Sequence, residues 1–160
     1  MIIPTAEKYF AELHRALDVV SREKKYLAFL QAPPLADALI FYRHILANDF
    51  CQFIAIEGEK LIGWCDILPV DGESRAHVGL LAIAVLPDAR GKGIGTRLME
   101  AALAKVRSQG LTRIELIVRC DNQRAKALYD RFGFFVEGIQ QRSQRVDGEY
   151  FDAYAMALLL

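Results

Sequence analysis

The chain has 160 residues, 53% of them hydrophobic, and 20 basic side chains balance 20 acidic ones. This composition excludes intrinsic disorder and suits one domain, residues 1–160, with a core of its own. A formal net charge of zero argues against nucleic acid as a partner, which demands a basic footprint. The absence of any apolar run near ~20 residues argues against a membrane.

In chain order, Ile2-Ile3-Pro4 suits a short edge strand, and Thr5 is placed to cap a following helix. Phe10, Leu13, Leu17 and Val20 recur at helical spacing, which predicts a helix over 6–23 closed by Lys24 and Lys25. That amphipathic start carries acids and is unlike a signal peptide. Pro33-Pro34 break the chain, and Leu35, Leu39, Tyr42 and Leu46 mark a second helix ending near Asn48. Residues 52–57 and 60–68 form a hairpin about Gly58-Glu59. A loop follows at 69–73, then a long strand over 75–85, which Pro87 stops because it cannot donate to a sheet ladder. A helix then carries Leu98, Met99, Ala102, Leu103 and Val106 on one face and stops at Gly110. A strand about 113–118 precedes a helix beginning near Asn122 with the stripe Ala125, Leu128, Tyr129, Phe132, ended by Gly133. Residues 134–144 and 149–158 pair across Asp147-Gly148 as a last hairpin. The order predicts an α+β fold with hairpins towards both ends and helical crossovers between. Cys51, Cys65 and Cys120 show no ligand-pair spacing, so no metal is expected; they read as small apolar residues of a reducing cytoplasm.

The most informative stretch joins the strand before Pro87 to the helix after Gly95. Strand, glycine turn and helix present unpaired N–H groups at a helix N-terminus, where donors and dipole attract phosphate. No Lys-Ser/Thr follows the last glycine, and the spacing fails the dinucleotide fingerprint. The pattern present is Arg-x-x-Gly-x-Gly, at Arg90, Gly93 and Gly95, after a Val-x-Pro lead-in. It resembles the coenzyme A loop of the GCN5-related N-acetyltransferases (GNAT). Asn122-Gln123-Arg124-Ala125-Lys126-Ala127-Leu128-Tyr129-Asp130-Arg131-Phe132-Gly133-Phe134 is similar to a second segment of that family, in the expected order. The last hairpin, with Asp147-Gly148-Glu149-Tyr150-Phe151-Asp152, resembles the subgroup acting on small amino-acid-like amines.

The resemblance implies a mixed, mostly antiparallel sheet of about seven strands with splayed central strands, acetyl-CoA as co-substrate, and direct acetyl transfer to a primary amine. It implies that Ile83, Ala84 and Val85 hold the pantetheine arm as an added strand would. Arg90, Gly91, Lys92, Gly93, Ile94, Gly95 and Thr96 would bind the pyrophosphate, with the glycines leaving room. Asn122 would cap its helix and reach the pantetheine, and Tyr129 would protonate the departing thiolate. Members often dimerise, so a homodimer is within the expectation.

The base is not legible. The two places where family members carry a carboxylate hold Gly79 and Ile117 here. His77, Asp66 and Glu137 remain as candidates, beside a water relay to solvent. Three functions stand open: a cytoplasmic small-amine N-acetyltransferase, a protein N-terminal or lysine acetyltransferase, and a coenzyme A-binding sensor with weak or no turnover.

Overall fold

The computed structural model describes residues 1–160. Eleven regular elements occur in order: β1 (Ile2–Pro4), α1 (Phe10–Arg22), α2 (Leu35–Ala47), β2 (Cys51–Glu57), β3 (Lys60–Pro69), β4 (Val78–Val85), α3 (Ile94–Ser108), β5 (Arg113–Arg119), α4 (Gln123–Arg131), β6 (Phe135–Val146) and β7 (Glu149–Leu159). The strands form one sheet in the order β1-β2-β3-β4-β5-β7-β6. Every neighbouring pair is antiparallel except β4 and β5. This is the mixed, mostly antiparallel sheet that the family resemblance implies, within the α+β order that the sequence pattern predicts.

The parallel pair decides where the site sits. β4 and β5 pair only from Val78 opposite Arg113 to Leu80 opposite Glu115. Beyond that point they part, while β4 stays paired to β3 as far as Val85 and β5 to β7 as far as Arg119. The wedge opens just past Gly79, which is packed too tightly for any side chain. A Cβ there would lie 2.6 Å from Ile67 Cγ2 and 3.0 Å from Leu111 Cδ1.

Two apolar clusters fill the two faces of the sheet. Under α3 and α4, the predicted stripe Leu98, Met99, Ala102, Leu103 and Val106 is wholly buried against β2–β5 and β7. Each large side chain so removed from water contributes about 1.5–3 kcal/mol. Under α1 and α2, Phe10, Leu13 and Val20 pack with Tyr42, Ile54, Trp64 and Ala84.

Several local expectations shift. Thr5 does not cap a helix: its N–H donates to the Gln52 carbonyl, which prolongs the β1–β2 ladder, and its hydroxyl is buried without a partner. A single 3-10 turn at Glu7–Tyr9 leads into α1. Lys24 lies beyond the helix end, with φ 57°. α2 buries Ala38, Tyr42 and Ile45, and leaves Leu35 and Leu46 exposed. That helix is apolar nearly all round, so periodicity could not choose its inner face. β4 begins at Val78 and not at Arg75, because Glu73–Arg75 form a 3-10 turn from which Arg75 reaches Glu115 at 2.9 Å.

Candidate active site

The wedge is a cleft of about 770 Å³. Its walls are Ile83, Ala84 and Val85 on β4 and Ile117, Val118 and Arg119 on β5. Every residue expected to hold the donor substrate lines it except Lys92, which is exposed and is not part of the lining.

The loop between β4 and α3 is built for an anion. Gly91 and Gly93 take φ values of 78° and 76°, where a side chain is strained. A Cβ on Gly93 would meet nothing within 4 Å, so this glycine faces open space. The N–H groups of Gly91 through Thr96 make no hydrogen bond within the molecule; the first α3 turn closes with Arg97 donating to the Gly93 carbonyl. Free N–H groups and the positive helix end together suit a diphosphate. Gly95 serves differently from expectation: a Cβ there would lie 3.3 Å from Leu128 Cδ2, so it permits close packing of α3 on α4.

Arg90 is also used differently. Its Nε donates to the Val85 carbonyl at 2.9 Å. Its Nη1 and Nη2 donate to Glu23 at 2.8 and 2.6 Å, and its guanidinium lies 4.6 Å from the Tyr26 ring centroid. The Glu23 carboxylate raises the Arg90 pKa further. The guanidinium thus ties β4 to the segment after α1. Positive charge at the loop comes instead from Arg124 and Arg131 of α4, to which sequence reading assigns no role. Arg124 Nη2 is 3.0 Å from the Cβ position of Gly91, and Arg131 Nη2 donates to Thr96 Oγ1 at 3.3 Å.

α4 begins at the wedge because Asn122 caps it: Oδ1 accepts from the Ala125 N–H at 3.2 Å. Its Nδ2 has no partner in the protein. Two turns along, Tyr129 is buried at the cleft floor with its ring 5.8 Å from that of Phe134. Burial pushes its pKa well above that of a free phenol, so the hydroxyl stays a donor at neutral pH.

None of the three candidate bases lines the cleft. His77 is exposed in the turn before β4, and Glu137 is bound to Arg113 on the open sheet face. Asp66 is buried beneath α2, where Gln52 Nε2 is its weak partner at 3.5 Å. Desolvation raises its pKa to about 7. The one carboxylate in the cleft, Asp121, accepts from Arg119 Nε and Nη2 at 2.9 and 2.6 Å. That pairing holds its carboxyl below the usual range. Cys51 and Cys65 are buried in the core, and Cys120, partly exposed, does not line the cleft.

Splayed parallel strands, a glycine loop with free N–H groups and a capped helix facing it define a coenzyme A-dependent acyltransferase site. The sequence model of the acetyltransferase (GNAT) family matches residues 13–134. The chain belongs to that family, whose members are acetyl-CoA-dependent acetyltransferases. A mycothiol acetyltransferase of Rhodococcus jostii is 37% identical over 87 residues, covering 53% of this chain and 28% of that one. The chain thus spans little more than a quarter of that relative's length. A putative [ribosomal protein bS18]-alanine N-acetyltransferase of Bacillus subtilis is 30% identical over 110 residues, 68% of this chain and 70% of that one. Among solved structures, a GNAT-family acetyltransferase from Streptococcus pneumoniae superposes with TM-score 0.92 at 27% identity, covering 100% of this chain and 99% of that one. A phosphinothricin acetyltransferase from Sinorhizobium meliloti, in complex with AcCoA, gives TM-score 0.92 at 17% identity over 100% and 88%, a likeness of fold. No helix is long and apolar enough to cross a membrane.

Proposed function

We propose that this protein transfers the acetyl group of acetyl-CoA directly to the primary amine of a small molecule such as an amino acid or an analogue of one. The small-acceptor reading rests on contacts beside the cleft that join the segment after α1, taken as the acceptor side, to the last hairpin. Lys24 Nζ, just after α1, donates to Asp147 at the β6–β7 turn at 3.0 and 3.2 Å, and Arg119 Nη1 donates to the Lys24 carbonyl at 3.1 Å. In this reading these contacts narrow the approach to the cleft, which favours a small acceptor over an extended peptide.

In this reading the uncommitted N–H groups of Gly91–Thr96 hold the pyrophosphate, with Arg124 and Arg131 adding charge. The free edge of β4 at Ile83–Val85 aligns the pantetheine arm. Acetyl-CoA supplies an activated acyl carbon. As the new C–N bond forms and the C–S bond breaks, Tyr129 gives its proton to the departing sulfur and regains one from solvent. The amine loses its proton to water, since Ile117 stands where a carboxylate would serve. Release of free thiol from acetyl-CoA over a panel of amino acids, diamines, aminoglycosides and peptides tests the proposal. Turnover confined to peptides, with none on small amines, overturns it.

A second reading, acetylation of a protein α-amine, rests on the similarity to the bS18-alanine N-acetyltransferase. The peptides in the same panel test it.

A further inference from the structure

The acceptor side of the cleft holds one charge without a hydrogen bond or ion pair, Lys25, whose Nζ lies 6.0 Å from the Tyr26 ring centroid. Around it the chain is pinned on both sides. Glu23 is gripped by both terminal nitrogens of Arg90, at 2.8 and 2.6 Å. Lys24 is held at its carbonyl by Arg119 and at its ammonium by Asp147. The Tyr26 ring lies against the Arg90 guanidinium, 4.6 Å from centroid to carbon. Arg119 is itself buried and stacked 3.6 Å over the Phe151 ring, so the anchor is rigid. Between these fixed neighbours, Lys25 lines the cleft and takes part in no hydrogen bond or ion pair.

The nearby carboxylates are already committed. Asp121 is bound to Arg119, and Glu23 to Arg90. Each pair largely cancels its own charge, which leaves the Lys25 ammonium, whose field also reaches Asp121, as the charge without an ion-pair partner on this side. Because the backbone on either side of it is anchored, engaging a ligand costs only the side-chain freedom of Lys25 itself.

Building on the small-amine reading above, we propose that Lys25 receives an anionic group of the acceptor, a carboxylate or a similar oxyanion. The acceptor is then a zwitterion of the amino-acid type, and polyamines and basic peptide ends are disfavoured. Two effects of one cation support this. A positive mouth repels a bare ammonium and attracts the carboxylate of a zwitterion. It also disfavours the ammonium form of the acceptor amine, which eases deprotonation in a cleft whose one carboxylate is taken. Lys25 is thus a specificity-determining residue, apart from the proton transfers.

The test measures thiol release at saturating acetyl-CoA with each standard amino acid beside its own amide, and with putrescine. Acids are expected to exceed their amides in kcat/KM by at least about tenfold, the value of one charge-assisted hydrogen bond. Lys25→Gln closes that gap, chiefly through the acceptor KM. Lys25→Arg keeps it, and Lys25→Glu turns the preference towards the amide and putrescine. Equal rates for acids and amides overturn the inference, as does a gap that Lys25→Gln leaves intact. In both cases small amines are still acetylated, so the wider reading survives. No release with any small amine overturns both.

Discussion

In the proposed reading, the groups that bind on the donor side of the cleft are backbone. The N–H groups from Gly91 to Thr96 come from a single loop, and Ile83–Val85 from the strand that feeds it. In the same reading the acceptor side is made of side chains, brought from the end of α1, the end of β5 and the β6–β7 turn. The pairs that assemble that side join residues 67, 95 and 123 positions apart. Arg90 stands at the boundary, where its sequence motif places it with the donor and its contacts place it with the acceptor. A diphosphate is common to every reaction of the family, so a rigid backbone cradle suffices for it. An acceptor is particular to each member, and side chains on separate segments can vary without disturbing the cradle.

The sharpest way to break this division is Gly93→Val. Its φ of 76° and the open space before it mean that a branched side chain both strains the loop and fills the cradle. Acetyl-CoA affinity is expected to fall on the order of 10²-fold or more by calorimetric titration, the scale of several lost hydrogen bonds to a charged group. Unchanged affinity would remove the loop from the donor site. Gly95→Val also weakens binding, but through α3–α4 packing, and it should lower the unfolding temperature as well.

Tyr129→Phe probes the floor shared by both halves. It keeps the ring contact with Phe134 and removes the proton donor. We expect kcat to fall on the order of 10²-fold with acetyl-CoA affinity nearly constant, as for a group acting only on the transition state. A wild-type single-turnover rate would leave Tyr129 a packing residue.

Asp66 tests what lies beneath the acceptor half. Its folded pKa, raised to about 7 by burial, exceeds the unfolded value of about 3.9. A raised pKa gives stability that is full below the unfolded value and is lost as pH climbs from about 4 to about 7. Relative to wild type, Asp66→Asn should gain on the order of a few kcal/mol between pH 4 and pH 8 in denaturant titrations. Parallel pH curves for the two proteins would show that Asp66 ionises freely.

Glu23→Gln sharpens the boundary. If Arg90 serves the acceptor side, the acceptor KM rises about tenfold, as for loss of one charge-assisted contact. Acetyl-CoA affinity then moves little. The opposite split would return Arg90 to the pyrophosphate.

The smallest effect is expected at Cys120. Burial is the main cause of its raised pKa, with Asp152 adding to it, so the thiol stays protonated and a poor nucleophile. Cys120→Ala should keep kcat within about twofold, since direct transfer forms no covalent intermediate with the protein. Mass-spectrometric detection of acetylated Cys120 during turnover would overturn this.

Much of the donor half was legible because its signals are short-range. Three glycines, a proline stop and an apolar stripe fix the strand, the loop and the buried face of α3, and each acts within a few residues of itself. The Asn122 cap and the Tyr129 position follow from one helix in the same way. Other features had no local signal. α2 offers apolar residues on every side, and only the sheet beneath it selects Ala38, Tyr42 and Ile45. Arg90 reads as a phosphate ligand until Glu23 and Tyr26 are folded against it. His77, Glu137 and Asp66 read alike as carriers of a proton, and only the sheet register puts all three outside the cleft. Sequence alone determines contacts whose partners lie within a turn or a hairpin, because steric and hydrogen-bonding constraints act there directly. The ownership of a charge is decided by tertiary structure, because an arginine can satisfy any carboxylate the fold brings within reach.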